Sequence, residues 1–182
     1  IKAIIHTLYS TMPTILSIDV GIINLAYAIL DSDRGRLITR SFGVVDLTVL
    51  RHQRVPRWEC KLCHGNSLTD RVAHFVQEHK PLFDEADTIL IEQQPPGGHQ
   101  AVEQLLYATF RNKTHLVSPV AMHAFYGMRS LDYEGRKSAV ETRVLPRLRE
   151  DLRINLEALD RRHDVCDAVC LATFWWARNY TP

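Results

Sequence analysis

The sequence lacks three features that would place it in an obvious class: an excess of charge of one sign, a membrane-length apolar run and a dense set of cysteines. Its 22 Lys and Arg residues nearly balance 21 Asp and Glu residues, and the formal net charge of +1 does not by itself indicate a nucleic-acid partner. No apolar run reaches the roughly 20 residues of a transmembrane helix, so we expect no membrane association. Four cysteines in 182 residues do not indicate a disulfide scaffold, and we predict an intracellular, reducing compartment.

Internal repeats, low-complexity segments and linkers are also missing, and 46% of the residues are hydrophobic. A chain of this length and composition can bury one substantial core, so we predict a single domain over residues 1–182. The first residue is Ile1 rather than methionine, which is compatible with a longer protein that carries a targeting segment before it.

Basic residues are concentrated in one part of the chain. Between Arg34 and Lys61 there are seven Lys and Arg residues against two acids. The irregular stretch 48–66 contains Pro56 and is long for a connection, so we predict a basic, cysteine-containing insertion with a functional role. The alternative is a solvated charged face without a binding function.

The spacing of apolar residues predicts an α/β fold with a mixed five-stranded sheet and helices on its faces. Strands are predicted at residues 15–20, 25–30, 37–47, 86–92 and 115–118, and helices after Ser67 and at residues 100–111, 137–152 and 162–178. A turn at residues 31–35 and other short connections make the first three strands an antiparallel meander. Pro146 lies within the third of these helices, and we expect it to interrupt that helix.

Four acidic residues occupy unusually apolar contexts. Asp19 lies in an apolar strand, Glu92 ends another, and Asp164 and Asp167 open an apolar helix one turn apart. A carboxylate is rarely buried without a partner, and bound divalent cations would account for all four acids together. Such a site holds two hard cations through oxygen ligands and suits the hydrolysis of a phosphodiester.

Each acid also has a simpler interpretation. Asp19 could be a turn residue, Glu92 could be an exposed residue at a strand end, and Asp164 and Asp167 could only stabilise the N-terminus of their helix. Their order along the chain, on this pattern of strands and helices, favours a shared site over four separate explanations.

Five short motifs follow one another along the chain. They are SIDVGIINLAYAIL at residues 17–30, IEQQP at 91–95, VSPVAMHAF at 117–125, GRKSAVE at 135–141 and DRRHDVCDAVCLA at 160–172. In this order they resemble the motifs of the RuvC-type Holliday junction resolvases, and most of all those of the poxvirus-type and fungal mitochondrial cruciform-cutting branches. The resemblance spans residues 15–176.

The resemblance implies a ribonuclease-H-like fold, in which two parallel strands extend the meander and helices cover both faces of the sheet. It also implies a homodimer that binds branched DNA. In this family, two subunits cut four-way junctions by paired symmetric nicks, using Mg²⁺ or Mn²⁺ with two ions per active site.

The resemblance also implies roles for individual residues. The catalytic, metal-binding acids correspond to Asp19, Glu92, Asp164 and Asp167. Lys137 is then the cation near the scissile phosphate. The other residues expected to bind DNA are Gln93, Gln94 and Arg136 in the motifs and Arg54, Arg57 and Lys61 in the basic insertion.

The pair Cys60 and Cys63 departs from the poxvirus-type pattern. A Cys-x-x-Cys pair is half of a zinc site, and His52, His64 and His74 are further candidate ligands. No second Cys-x-x-Cys pair is present, so we expect free thiols more than a structural Zn²⁺. The pair Cys166 and Cys170, spaced by four in an apolar helix, is expected in the core.

Several aromatic residues and one histidine have two interpretations each. Trp58 could stack on an unpaired base or pack on the core, and Phe125 and Tyr126 could enter the centre of a junction. Trp175 and Trp176 are expected in the core or at a dimer interface. His163 could orient a ligand near the metals or be an ordinary helix-start residue. The helix at 100–111 is the expected dimer contact, by family analogy.

Three other functions compete with junction resolution. A ribonuclease-H-like nuclease that cuts RNA–DNA hybrids or flaps would share the acids, but it works as a monomer, whereas a resolvase couples two sites. A non-catalytic junction-binding protein would not need all four acids. A sugar-kinase or actin-like ATPase also begins with Asp-x-Gly, but it requires a second such motif and a glycine-rich nucleotide site, which the sequence lacks.

Overall fold

The computed structural model describes residues 13–48, 65 and 67–180, and its centre is a five-stranded sheet with the strand order β3-β2-β1-β4-β5. The strands are β1 (Thr14–Asp19), β2 (Leu25–Asp33), β3 (Arg36–Val45), β4 (Thr88–Glu92) and β5 (Thr114–Val117). The first three pair antiparallel, whereas β4 runs parallel to β1 and β5 runs parallel to β4. The predicted mixed sheet, a meander extended by two parallel strands, is therefore confirmed.

Helices cover both faces of this sheet. They are α1 (Leu68–Glu78), α2 (Lys80–Glu85), α3 (Gln100–Thr109), α4 (Pro119–Phe125), α5 (Tyr133–Val144), α6 (Glu150–Glu157) and α7 (Arg162–Tyr180), with 3₁₀ turns at Arg111–Lys113 and Leu145–Arg147. Apolar residues of α1, α2 and α3 form one core with the sheet, and those of α4 to α7 form a second core on its other face. Within the described residues, no helix is long and apolar enough to cross a lipid bilayer.

The predicted turn at residues 31–35 is shorter in the structure. Strand β2 continues to Asp33, and only Arg34 and Gly35 form the turn, with φ angles of 48° and 79°. Two successive residues with positive φ match the twist of a two-residue hairpin, so the strands continue right up to the turn.

Several helices differ from their predicted bounds, and two were not predicted. Helix α5 begins at Tyr133, four residues early, because the side chain of Asp132 caps it by accepting the Gly135 N–H at 2.8 Å. It ends at Val144, before Pro146, so the predicted interruption is confirmed. Helices α2 and α4 were not predicted: each has a proline in its first turn, and each is only six or seven residues long.

Strand alternation decides which side chains of β1 face which core. Leu16 and Ile18 belong to the core with α1 to α3, whereas Ile15 belongs to the core with α7. Because successive side chains of a strand point to opposite faces, Ser17 and Asp19 lie on the face of α7.

The same alternation applies to β4. Ile89 and Ile91 pack on the side of α1 to α3, and Leu90 packs on the side of α7, so Glu92 also lies on the face of α7. Since β1 and β4 are adjacent and parallel, with Ile18 beside Ile91, their two terminal acids end at the same edge of the sheet.

Helix α7 packs across β1 to β4 and carries the other two acids in its first turns. Small buried residues at 166, 168, 170 and 172 allow the helix to approach the sheet closely. At its far end, the Trp176 indole N–H donates to the carbonyl of Gly35 at 3.2 Å. The helix therefore runs from the acid edge of the sheet to the β2–β3 hairpin, which fixes where Asp164 and Asp167 lie.

Candidate active site

The four acids singled out in the sequence line one cavity of about 250 Å³ at the edge of the sheet. Strands β1 and β4 contribute Asp19 and Glu92, and the first turns of α7 contribute Asp164 and Asp167. The remaining wall comes mainly from α4, α5 and the start of α7, with the side chains of Met122, His123, Tyr133, Arg136, Lys137, His163 and Leu171. The convergence that the sequence required is thus present, although the role of each acid stays a prediction.

Asp19 lies at the centre of this group. Burial raises the pKa of Asp19 well above its usual value, and the charges of Glu92, Asp167 and Asp164 and a hydrogen bond with Glu92 raise it further. This raised pKa favours the protonated form of Asp19 unless a cation is nearby.

Asp167 has a similar environment. Burial, together with the charges of Glu92 and Asp164, raises its pKa to about 7, against a smaller opposing effect of Arg136. Near neutral pH the acids therefore repel one another, and a positive charge in the cavity would relieve that repulsion.

Asp164 contacts two neighbouring basic side chains, those of Arg161 and His163. Its Oδ2 accepts from Arg161 Nε at 2.9 Å, and its Oδ1 lies 3.4 Å from Arg161 Nη2 and 3.0 Å from His163 Nε2. The histidine contact does not have hydrogen-bond geometry, so in the described part of the chain the buried Nε2 of His163 has no hydrogen-bond partner. Burial lowers the pKa of His163, an effect that the charge of Asp164 opposes.

The basic start of α5 faces the acids. Lys137 Nζ lies 3.9 Å from the centre of the Tyr133 ring and 3.3 Å from Glu134 Oε1, and contacts with these two residues raise the lysine pKa. Lys137 therefore remains protonated at neutral pH. Arg136 donates from Nη1 to the carbonyl of Leu131 at 2.6 Å and lines the same cavity.

Solved structures with this arrangement of strands and helices are known. The fowlpox virus Holliday junction resolvase matches with a TM-score of 0.62 and 16% identity over 91% of this chain and 99% of its own. The yeast mitochondrial Holliday junction resolvase Ydc2 matches with a TM-score of 0.64 and 20% identity over 91% and 78%. The structure of RuvC from Thermus thermophilus with a Holliday junction substrate matches with a TM-score of 0.54 and 16% identity over 93% and 97%.

The chain has the fold of the Holliday junction resolvases. The poxvirus, fungal mitochondrial and RuvC branches that its motifs resemble are all represented among these matches, and the predicted ribonuclease-H-like α/β class is confirmed. No family model matches the sequence. No curated protein matches it either.

The donor set of this resolvase fold suits a hard divalent cation. Four carboxylates and one buried imidazole nitrogen border the cavity, and carboxylate oxygens are preferred ligands of Mg²⁺ and Mn²⁺. Within the described residues, no three such side chains already surround a common point as ligands. Two of these acids already have other partners: Asp164 accepts from Arg161, and Glu92 accepts from Gln94.

The two glutamines that follow β4, Gln93 and Gln94, have different surroundings. Gln94 Nε2 donates to Glu92 Oε2 at 2.6 Å, and its Oε1 accepts the His99 N–H at 3.1 Å. Gln93 is exposed. The predicted contact of both residues with DNA stays a prediction, and Gln94 orients the carboxylate of Glu92.

Several aromatic predictions can be compared with the structure. Phe125 is 52% exposed, whereas Tyr126 is anchored by a 2.6 Å hydrogen bond between its hydroxyl and Thr173 Oγ1. Trp176 is buried and stacks on Tyr180. Trp176 is therefore a core residue, and Phe125 is the more exposed member of the Phe-Tyr pair.

The predicted zinc pair and the basic insertion lie outside the described residues. This applies to Cys60, Cys63, Arg54, Arg57 and Lys61, and to the neighbouring candidates His52, Trp58 and His64. Their proposed roles stay predictions. The other two cysteines, Cys166 and Cys170, are buried free thiols on α7, as expected.

Several residues of the site were not predicted, and Arg161 and Tyr133 are the two with charged or polar contacts to the predicted ones. Tyr133 precedes Lys137 by four positions and shares a face of α5 with it, and Arg161 precedes Asp164 by three positions, just before α7 begins at Arg162. That spacing was the available signal. Arg161 also lines a second cavity of about 460 Å³, which shares Asp19 and Asp164 with the first.

Proposed function

We propose that the chain is a structure-selective DNA endonuclease that resolves four-way junctions by metal-dependent phosphodiester hydrolysis, a crossover junction endodeoxyribonuclease of recombination and repair. The observation that carries this proposal is the meeting of Asp19, Glu92, Asp164 and Asp167 in one cavity, in a chain with the resolvase fold. The fowlpox resolvase and RuvC neighbours include complexes with Holliday junction DNA.

In this proposal the four acids hold two Mg²⁺ or Mn²⁺ ions. When bound, the ions would polarise the phosphodiester and activate a water molecule for its hydrolysis. Lys137 and Arg136 place positive charge at the cavity wall, where they attract and orient the scissile phosphate. Gln94 holds Glu92 through its amide N–H, which keeps that carboxylate directed into the cavity.

Junction resolution also requires two coupled active sites. We propose a homodimer whose subunits each nick one strand, so that the two nicks are symmetric across the junction. Helix α3 is the proposed contact: its outward residues Ala101, Gln104 and Ala108 are exposed and small or uncharged, which would let two helices approach closely.

The test compares three substrates with purified protein: a synthetic four-way junction, a plain duplex of the same sequence and an RNA–DNA hybrid. We expect paired symmetric nicks in the junction alone, with Mg²⁺ or Mn²⁺ and not with EDTA. Cutting of the hybrid in preference to the junction would favour a different ribonuclease-H-like nuclease. Cutting that is indifferent to chelator would overturn the proposed chemistry.

A further inference from the structure

Asp164, a proposed metal ligand, is paired with a basic residue of its own turn. Arg161 reaches both carboxylate oxygens, with Nε 2.9 Å from Oδ2 and Nη2 3.4 Å from Oδ1. The backbone fixes this pair, because the Asp164 N–H donates to the carbonyl of Arg161 at 3.1 Å. A cation that binds through Asp164 must therefore compete with this guanidinium.

Of the two residues in this ion pair, Arg161 is the one whose side chain can move away. Its side chain is 42% exposed, whereas the side chain of Asp164 is 11% exposed and is held at the start of α7. A divalent cation close to Asp164 would also repel the guanidinium, which adds to the tendency of Arg161 to move.

The second cavity gives Arg161 a place to act after it leaves. This cavity is lined by the β1–β2 loop, from Val20 to Asn24, and by His99, and it shares Asp19 and Asp164 with the acid cavity. A DNA strand with its scissile phosphate at the acids would therefore carry a neighbouring phosphate past Arg161. A guanidinium binds phosphate oxygens through the same two-pronged geometry that it uses with carboxylates.

We propose that Arg161 is an exchangeable counter-ion: it holds Asp164 until a divalent cation takes this carboxylate, and it then binds a DNA phosphate in the second cavity. This inference rests on the proposed function, since it assumes the metal site and the DNA substrate. It has one thermodynamic consequence. Metal and DNA must bind cooperatively, because each favours the state in which Arg161 has left Asp164.

The first test measures Mn²⁺ binding without DNA, by electron paramagnetic resonance or calorimetry. Arg161→Gln removes the competitor, and we expect it to bind Mn²⁺ roughly three- to thirtyfold more tightly than wild type, the range for a partly buried charged hydrogen bond. Arg161→Lys retains the charge but loses the two-pronged contact, so its affinity should fall between the two.

The adjacent Arg162 provides a matched control. It is 43% exposed, and its Nε lies 2.9 Å from Glu141 Oε2, a carboxylate that does not line the acid cavity. Arg162→Gln removes the same charge one residue away, so a general electrostatic effect would raise Mn²⁺ affinity equally in both variants. We expect Arg162→Gln to stay within about twofold of wild type, because it frees no proposed ligand.

The second test measures the affinity for a synthetic four-way junction in EDTA and in Ca²⁺, with a gel to verify that the DNA is intact. Wild type and Arg162→Gln should gain affinity when Ca²⁺ is added. Arg161→Gln should lose most of this gain, since no guanidinium is released to the phosphate. An unchanged gain in Arg161→Gln would overturn the transfer to DNA.

The outcomes separate the inference from the proposed function. Absence of Mn²⁺ binding by wild type would overturn the metal site and this inference with it. Binding by wild type that Arg161→Gln and Arg161→Lys do not tighten would overturn the inference alone. In an Asp164→Asn background, the further change Arg161→Gln should have no effect on Mn²⁺ affinity, because the contested carboxylate is already gone.

Discussion

The carboxyl groups of Asp19 and Asp167 have raised pKa values because burial and neighbouring acids disfavour their charged forms. A protein that keeps such groups together without a ligand loses stability, which indicates that the arrangement serves binding or chemistry and not folding. Arg161, Arg136 and Lys137 surround the acids with positive charge, so the nearly neutral whole chain contains a strongly polarised site.

Single substitutions of the acids should separate cutting from binding. We expect Asp19→Asn or Glu92→Gln to reduce junction cutting by a factor of about 10³ or more, because each removes a charged ligand of the proposed ions. Junction affinity should be retained. Nicking assays and gel shifts measure the two effects, and Asp84→Asn, at an exposed ion pair on α2, is the control. Retained cutting in either variant would remove that acid from the proposed metal site.

The pKa of Asp167 predicts a pH dependence of stability without divalent cations. Its folded pKa of about 7 lies above the value of 3.8 for an unperturbed side chain, so the folded chain binds more protons than the unfolded chain between these pH values. The contribution of this group to stability is therefore full below the lower value and is lost as the pH rises to about 7, a change of up to about 4 kcal/mol.

Urea denaturation in EDTA from pH 5 to pH 8 measures this dependence. Asp167→Asn should flatten the slope and should be more stable than wild type at pH 8, whereas Asp84→Asn should keep the slope of wild type. Added Mg²⁺ should restore stability at pH 8 in wild type and not in Asp167→Asn. A wild-type stability that rises across this range would contradict the raised pKa.

Helix α7 is the element that joins the fold to the site. Its first turns carry Asp164 and Asp167, and its buried small residues set its distance from the sheet. The sequence predicted this helix almost in full, because its apolar content is unmistakable. It did not predict α2 and α4, because short helices with a proline in the first turn leave little periodic signal.

A larger side chain between α7 and the sheet should lower the stability of the fold and also disturb the acid cavity. Ala168 is fully buried on the sheet side, and we expect Ala168→Leu to lower the free energy of unfolding by roughly 1–3 kcal/mol and to weaken Mn²⁺ binding. Ala177→Leu, at a partly exposed position near the far end of α7, is the control and should change neither quantity. If Ala168→Leu destabilises the fold but binds Mn²⁺ like wild type, the helix position does not govern the site.

We expect the whole molecule to function as a homodimer. Sedimentation velocity should show a homodimer at micromolar concentration. Ala108→Arg on the outer face of α3 should dissociate it and abolish paired nicking, while Mn²⁺ binding persists. Ile154→Arg, which places the same side chain at an exposed site on α6, should remain dimeric. A dimer that tolerates Ala108→Arg would exclude α3 as the contact.

The sequence alone determined the order of the strands and of the longer helices, the α/β class and which four acids to expect in one site, because each depends on local patterns: alternation in β1 and β4, apolar periodicity in α7 and short motifs at strand ends. Only the tertiary structure decided that Tyr133 of α5 lines the cavity of the acids and that Trp176 meets the carbonyl of Gly35. Those contacts join segments that are distant in the sequence, so they depend on how α5 and α7 pack against the sheet. The alternation of a strand tells which face a side chain takes, but not which neighbour it meets there.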